Sequence, residues 1–204
     1  MRCATVKLRR GCLAFAFALI TGLVTAHPAF APPLECGNVS ASIVGTTGPD
    51  YLIGSSGADS IVGLAGNDYE DGSGGLDYLC GGPDHDTLVS NAGKDEMWGE
   101  AGPDDMFGSD LANDLYGGDQ ADYVQGSGGP DTIRGNDGGV DASEILSGGS
   151  ENDSVNGNNG DDGLFDGYGS DDMVGGAGYD VGGACADQTP DSWDVESLGS
   201  NAPC

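Results

Sequence analysis

Aspartate returns at every ninth residue through most of this chain. Asp50, Asp59, Asp68, Asp77, Asp86, Asp95, Asp104, Asp122 and Asp131 keep one phase, with Asn113 in the remaining slot, and Asp153, Asp162, Asp171 and Asp180 keep a second. Glycine commonly stands two and five residues ahead of each. Carboxylates at a fixed spacing, interleaved with glycine turns that expose backbone carbonyls, form a donor set for a hard cation. Calcium accepts about six to eight such oxygens in flexible geometry, whereas magnesium demands a stricter octahedron and keeps more of its water. Transition metals are disfavoured, because histidine clusters and closely spaced cysteines are lacking. No D-x-[DN]-x-[DN]-G-x5-E loop is present, so the calcium chemistry is not that of an EF-hand.

The elements that must position these carboxylates are nine-residue units. GTTGPDYLI and GSSGADSIV, residues 45–62, share glycine at places one and four, aspartate at place six and an aliphatic residue at place eight. The phase runs unbroken to Arg134, slips through the 13 residues 135–147, and resumes from 148 to 183. The longer segment reads as one repeat carrying a loop insertion. Place eight holds Leu52, Ile61, Leu79, Leu88, Met97, Met106, Leu115, Val124, Ile133, Val155, Leu164 and Met173. Glu70 interrupts that column, and Gly182 marks the end of the stack.

Six residues rich in Gly and Asp favour a turn over a helix, and the next three favour a short strand. In such a strand the middle side chain faces opposite to its neighbours. Two units then close one coil of a flattened solenoid, with the place-eight aliphatics meeting inside. One aliphatic side chain per nine residues is a thin core, and the acidic turns repel one another. Apolar burial alone looks insufficient, so the fold calls for a ligand.

The chain has 204 residues with 39 Gly, 34 acids and 6 Lys plus Arg. Four of the cations fall in the first ten residues and precede the apolar run CLAFAFALITGLV, the pattern of a secretory signal peptide. Cleavage after Ala26 and after Ala31 both fit. The remainder carries all 34 acids against Lys94 and Arg134. Such a surface repels nucleic acid and anionic lipid, and no later stretch could span a membrane. Cations are the natural partner. The remainder also keeps four cysteines, Cys36, Cys80, Cys185 and Cys204. An even number in an oxidising compartment favours two disulfides; Cys36 with Cys80 and Cys185 with Cys204 is the favoured of three pairings.

The repeats resemble GGxGxDxUx, with U a large aliphatic, the pattern of the RTX or haemolysin-type calcium-binding repeat family. The resemblance covers residues 45 to 183. It implies an all-β fold, a parallel β-roll (a right-handed β-solenoid) of about seven two-repeat coils with calcium in the turns. Carried over by position, it makes the thirteen aspartates named above the expected ligands of multiple Ca2+ ions, on the order of ten. Asn113 loses the charge, and Asp84, Leu111, Gln120 and Glu151 replace the fourth-place glycine, which weakens the match at those turns. Asp50 and Asp180, at the outermost turns, lack a stacking partner.

The organisation expected is a signal peptide over 1–31, an N-terminal cap over 32–44, the roll over 45–183 and a C-terminal cap over 184–204. The functional reading is a secreted, non-enzymatic calcium-binding β-roll that folds on binding calcium outside the cell. A calcium-dependent adhesin or surface structural protein is the alternative, and a calcium-dependent secreted hydrolase a more distant one. His85 occupies a variable turn position with neither a G-x-S-x-G elbow nor an H-E-x-x-H helix to accompany it. Place-seven and place-nine aromatics, among them Tyr51, Tyr69, Tyr78, Trp98, Phe107, Tyr116 and Tyr123, face outward. Strand packing is their expected role, and a stripe for a cell-surface glycan or protein partner the other.

Overall fold

The computed structural model describes residues 35–135, 142–183 and 192–194. Among them every regular element is a strand. Runs such as Tyr51–Ile53 and Thr87–Val89 extend because β-branched and aromatic side chains suit a pleated surface. In many repeats the strand is longer than the expected three residues and runs on through the start of the Gly- and Asp-rich hexapeptide, as in Tyr78–Pro83 and Glu96–Ala101, so that only the rest of the hexapeptide turns.

Consecutive repeats go to opposite sheets. One parallel sheet has nine strands, running in chain order from Ile43–Val44 through Ser60–Val62, Tyr78–Pro83, Glu96–Ala101 and Asp114–Asp119 to Ser192–Asp194. The other has eight, from Tyr51–Ile53 to Val181–Gly183. Each strand pairs in register with the strand two repeats on, so Leu79 lies opposite Met97, Met97 opposite Leu115 and Leu88 opposite Met106. Across the insertion the offset grows, with Val124 opposite Leu146 and Ile133 opposite Val155, and past it the former offset returns, with Leu146 opposite Leu164. The extra residues therefore fall between Gly135 and Ile145, of which 136–141 lie outside the described set.

The result is a parallel β-solenoid of about eight coils. The repeats alone suggest about seven. Ile43–Val44, ahead of the first nonapeptide, and Ser192–Asp194, behind the last, each add a strand to the first sheet.

Inside, Ile61, Leu79, Leu88, Met97, Met106, Leu115, Val124, Ile133, Leu146, Val155, Leu164 and Met173 make one continuous column with no exposure to solvent. Ile43 and Leu52 close it at one end, partly buried. Glu70 stands in this column between Leu52 and Leu88, fully buried, and its strand keeps register on both sides.

Some of the outer aromatics stack on one another, while Phe165, Tyr168 and Tyr179 are exposed. Tyr51 stacks on Tyr69 with ring centroids 4.6 Å apart. On the other sheet Tyr78, Trp98 and Tyr116 follow in near-parallel stacks at 6.3 and 5.5 Å, and the Arg134 guanidinium lies 5.2 Å over Tyr116. Such pairs are the cross-strand contacts that stiffen a sheet.

A hairpin, Glu35–Cys36 against Val39–Ser40, covers the first coils. Its two-residue loop, Gly37 and Asn38, has φ of 58° and 66°, the backbone that a tight hairpin requires. A Cβ on Gly37 would come within 2.6 Å of both Trp98 and Tyr78, so only glycine fits against the rings. The expected Cys36–Cys80 disulfide is formed, inside an apolar cluster with Val62, Leu64, Tyr78 and Trp98. Cys185 and Cys204 lie outside the described residues, as does the leader. Among the described residues no helix is long and apolar enough to cross a membrane.

Leu115→Ala, in the middle of the column, is expected to cost about 2 to 5 kcal/mol. Leu52→Ala at its partly buried end should cost clearly less. Urea unfolding of both variants in calcium checks the order.

Candidate metal centre

The sixth-place side chains form two rows, one along each edge of the roll. Along both, a backbone N–H of one coil donates to the Oδ1 of the next. Asp68 N–H reaches Asp86 Oδ1 at 2.7 Å, Asp86 reaches Asp104 at 2.8 Å and Asp104 reaches Asp122 at 2.9 Å. In the second row Asp77 reaches Asp95 at 2.7 Å, while Asp131 reaches Asp153 and Asp153 reaches Asp171, both at 2.8 Å. Each N–H needs an acceptor away from water, and the aspartate supplies it.

The other oxygen has no such use. In Asp68, Asp77, Asp86, Asp104, Asp122, Asp131, Asp153 and Asp162, Oδ2 is buried without a hydrogen-bond partner. It points at the first-place glycine of its own repeat. A Cβ on Gly99, Gly126 or Gly157 would collide with the Oδ2 of Asp104, Asp131 or Asp162, and with the carbonyl oxygen of Gly117, Gly148 or Gly175 in the next coil. Glycine thus keeps open a space where a carboxylate and a carbonyl oxygen converge with no donor between them. Farther along the turn, a Cβ on Gly102 would collide with the Asp84 carbonyl oxygen.

A buried carboxylate with an unmet oxygen is strongly unfavourable unless it is compensated. One carboxylate per turn, with backbone carbonyls around it, suits a hard cation of flexible geometry. No three His, Cys, Asp or Glu side chains gather as a metal cluster among the described residues, so a cation in these turns would take most of its oxygens from the backbone.

A profile of the RTX calcium-binding nonapeptide repeat (4 copies) matches residues 44–79, 71–106, 81–115, 107–139, 139–165 and 147–181. The chain belongs to this RTX repeat family. Fold and family together make it a calcium-binding β-roll protein. No curated protein matches the chain.

Most RTX turns here share one backbone form, with positive φ at places two and four. Asp84, Gln120 and Glu151 hold it at place four despite their side chains, with φ of 89°, 81° and 81°. Each bears a strain of about 1 to 2 kcal/mol but leaves the turn shape intact. Leu111 does not adopt it.

Three turns are closed by their own donors. Asp50 Oδ2 accepts from the Thr46 N–H at 2.5 Å and the Thr46 hydroxyl at 2.9 Å. Asp59 Oδ2 accepts from the Ser55 N–H at 2.6 Å and hydroxyl at 2.8 Å. The Ser55 N–H holds the Asp59 carboxyl below its usual range despite some burial. At the third turn Asn113 Oδ1 accepts from the Asp95 N–H at 3.0 Å, and its Nδ2 donates to the Leu111 carbonyl at 2.6 Å. The amide puts an N–H where the other turns have an unmet oxygen.

Glu144 is the sixth-place residue that the repeat pattern missed. It is fully buried, its N–H donates to Asp162 Oδ1 at 3.0 Å, and neither of its carboxylate oxygens has a hydrogen-bond partner. A Cβ on Gly135 would meet Glu144 Oε2 at 3.1 Å and the Gly157 carbonyl oxygen at 2.7 Å, the same arrangement as at the aspartates. The insertion hides it from forward counting. Counting backward from Gly148 puts Leu146 at place eight and Glu144 at place six.

Burial raises these carboxyls, opposed by the N–H that each accepts: Asp77 and Asp86 to about 6, Asp122, Asp131 and Asp153 to about 7, and Asp104 to about 8. Glu144 is raised by burial and then by Asp162. An unfolded aspartate titrates near ~3.9, so the metal-free fold binds more protons than the unfolded chain between these values. Its stability is greatest at acid pH and is lost as pH rises through about 6 to 8. Without calcium, the strand signal in circular dichroism should therefore grow from pH 8 to pH 5. With calcium, acidification should instead raise the calcium midpoint, because protons compete for the same oxygens.

Proposed function

We propose that the protein is a secreted, non-catalytic β-roll that binds on the order of ten calcium ions and completes its folding by binding them outside the cell. The supporting observation is the double row of buried carboxylate oxygens with no donor. Asp68, Asp77, Asp86, Asp95, Asp104, Asp122, Asp131, Glu144, Asp153, Asp162, Asp171 and Asp180 would supply the carboxylates, with turn carbonyls beside them. Asp50 and Asp59 are the weakest candidates of the thirteen aspartates, because Thr46 and Ser55 already satisfy them.

Calcium would contribute the positive charge that the chain lacks. The described basic side chains offer little of it: Lys94 lies 3.7 Å from Asp114 and His85 3.3 Å from Asp105, both on the surface, and Arg134 lies over Tyr116. An ion that binds only the folded chain lends its binding energy to folding. At the low calcium of a cytoplasm the chain would stay largely unfolded. The signal-like leader and the Cys36–Cys80 disulfide favour an oxidising, extracellular destination. The Tyr78, Trp98 and Tyr116 rings favour a calcium module over a glycan-binding adhesin, since their faces pack on one another.

Circular dichroism of the mature chain during a calcium titration tests the reading. Strand signal should be weak in chelator and rise with calcium. Asp104→Ala, at mid-stack, should shift the midpoint to higher calcium by about tenfold, and Asp50→Ala should leave it nearly unchanged. Full strand signal in chelator, indifferent to calcium, would sink the proposal.

A further inference from the structure

Place eight of the repeat is the inward, apolar place, and Glu70 occupies it. Its register neighbours on either side are Leu52 and Leu88. It has no exposure to solvent, and neither of its carboxylate oxygens completes a hydrogen bond. The nearby Gly63 N–H is donated instead to the Cys80 carbonyl. An ionised carboxylate left in this state would cost far more than a leucine in the same place gains.

The side chain does not lie along the column. It reaches toward the turn at Gly63. A Cβ on that glycine would meet Asp68 Oδ2 at 2.5 Å, the Gly81 carbonyl oxygen at 2.6 Å and Glu70 Oε1 at 2.9 Å. At the equivalent points off Gly99, Gly126 and Gly157, the aspartate and the next coil's carbonyl are present, but the third nearest atom is a carbon of the same aspartate. The Gly63 turn therefore brings two carboxylates to a place where those turns bring one. Asp68 is tied to the following coil through Asp86 Oδ1 at 2.7 Å, which fixes the pair between two coils.

We infer that Glu70 is a calcium ligand, reaching out of the core to join Asp68 and the Gly81 carbonyl in a two-carboxylate site that is the tightest in its row. This rests on the calcium reading above and goes beyond the repeat pattern, which calls for an aliphatic residue at that place. Calcium affinity rises with the number of charged ligands and the rigidity of the site. Both are increased here, the second by the packing of Glu70 between two leucines. A role as a mere interruption of the core gives a different expectation, because replacement by leucine would then improve the roll in every condition.

The experiment uses the mature chain with and without Glu70→Leu and Glu70→Gln. Calcium chloride is the sole probe, bound ions are counted by equilibrium dialysis, and folding is followed by urea unfolding in chelator and in calcium. The wild type should show a tight class of site that Glu70→Leu loses or weakens by about tenfold or more. Glu70→Gln, which keeps the shape and one acceptor oxygen, should fall between them. In chelator Glu70→Leu should be at least as stable as the wild type, and in calcium it should gain less stability per ion. The inference is overturned if Glu70→Leu binds the same number of ions with the same affinities. Should Glu70→Leu not reach the wild-type strand signal in calcium, the same result for Glu70→Gln overturns it. A wild-type chain that binds no calcium would instead defeat the parent reading, which separates the two failures.

Discussion

A backbone N–H donated to a buried carboxylate oxygen one coil further on is the bond that organises this roll. It is charge-assisted and therefore stronger than an amide-to-amide bond. It also sets register: a slip of one residue would aim the aspartate at solvent and the place-eight aliphatic away from the column. The same bond creates the difficulty that the rest of the structure must meet. With Oδ1 committed to the N–H of the preceding coil, Oδ2 is turned into the bend beside glycine, where neither water nor an N–H reaches it.

The closed turns reveal what that second oxygen requires. At Asp50 and Asp59, a second-place hydroxyl and its N–H meet it, and the backbone there does not take the positive φ of the later turns. At Asn113 the oxygen is replaced by an amide that carries its own donor. Where second-place residues such as Leu64 and Glu100 take φ of 80° and 74°, no such help is supplied. The turn then presents only oxygens. The need is for positive charge, and it repeats along both edges of the roll. On the proposed reading, calcium would meet that need.

Much of this was legible in the sequence because a solenoid writes its geometry as a period. The strands, the inward column and the shared sixth place all followed from a nine-residue phase, and the Cys36–Cys80 pairing from the idea that the ends need ties. Three features were not legible, each for its own reason. Glu144 was hidden because the insertion moves the sixth place out of forward phase. The difference between open and closed turns was hidden because it depends on the backbone angle at place two, where serine occurs in both forms: Ser55 and Ser109 lack the positive φ that Ser73 and Ser127 take. The direction of Glu70 was hidden because periodicity tells which face a side chain leaves from, not how far it travels afterwards.

In a stack where each repeat touches only its neighbours, stability is carried by the interfaces and the ends are the weak points. At its beginning the roll meets that weakness without ions. The hairpin, the disulfide, the rings of Tyr78 and Trp98 and the closed turns at Asp50 and Asp59 all gather over the first coils. Further along, apolar cover thins to one aliphatic per repeat while unmet carboxylates accumulate, so cohesion passes from covalent and apolar contacts to charge. Glu70 sits at the join between the two regimes, where the closed turns of the first coils at Asp50 and Asp59 give way to the first open ones. On the proposed calcium reading a second carboxylate would be most useful there, because the coil it secured would be the surface on which the later coils build.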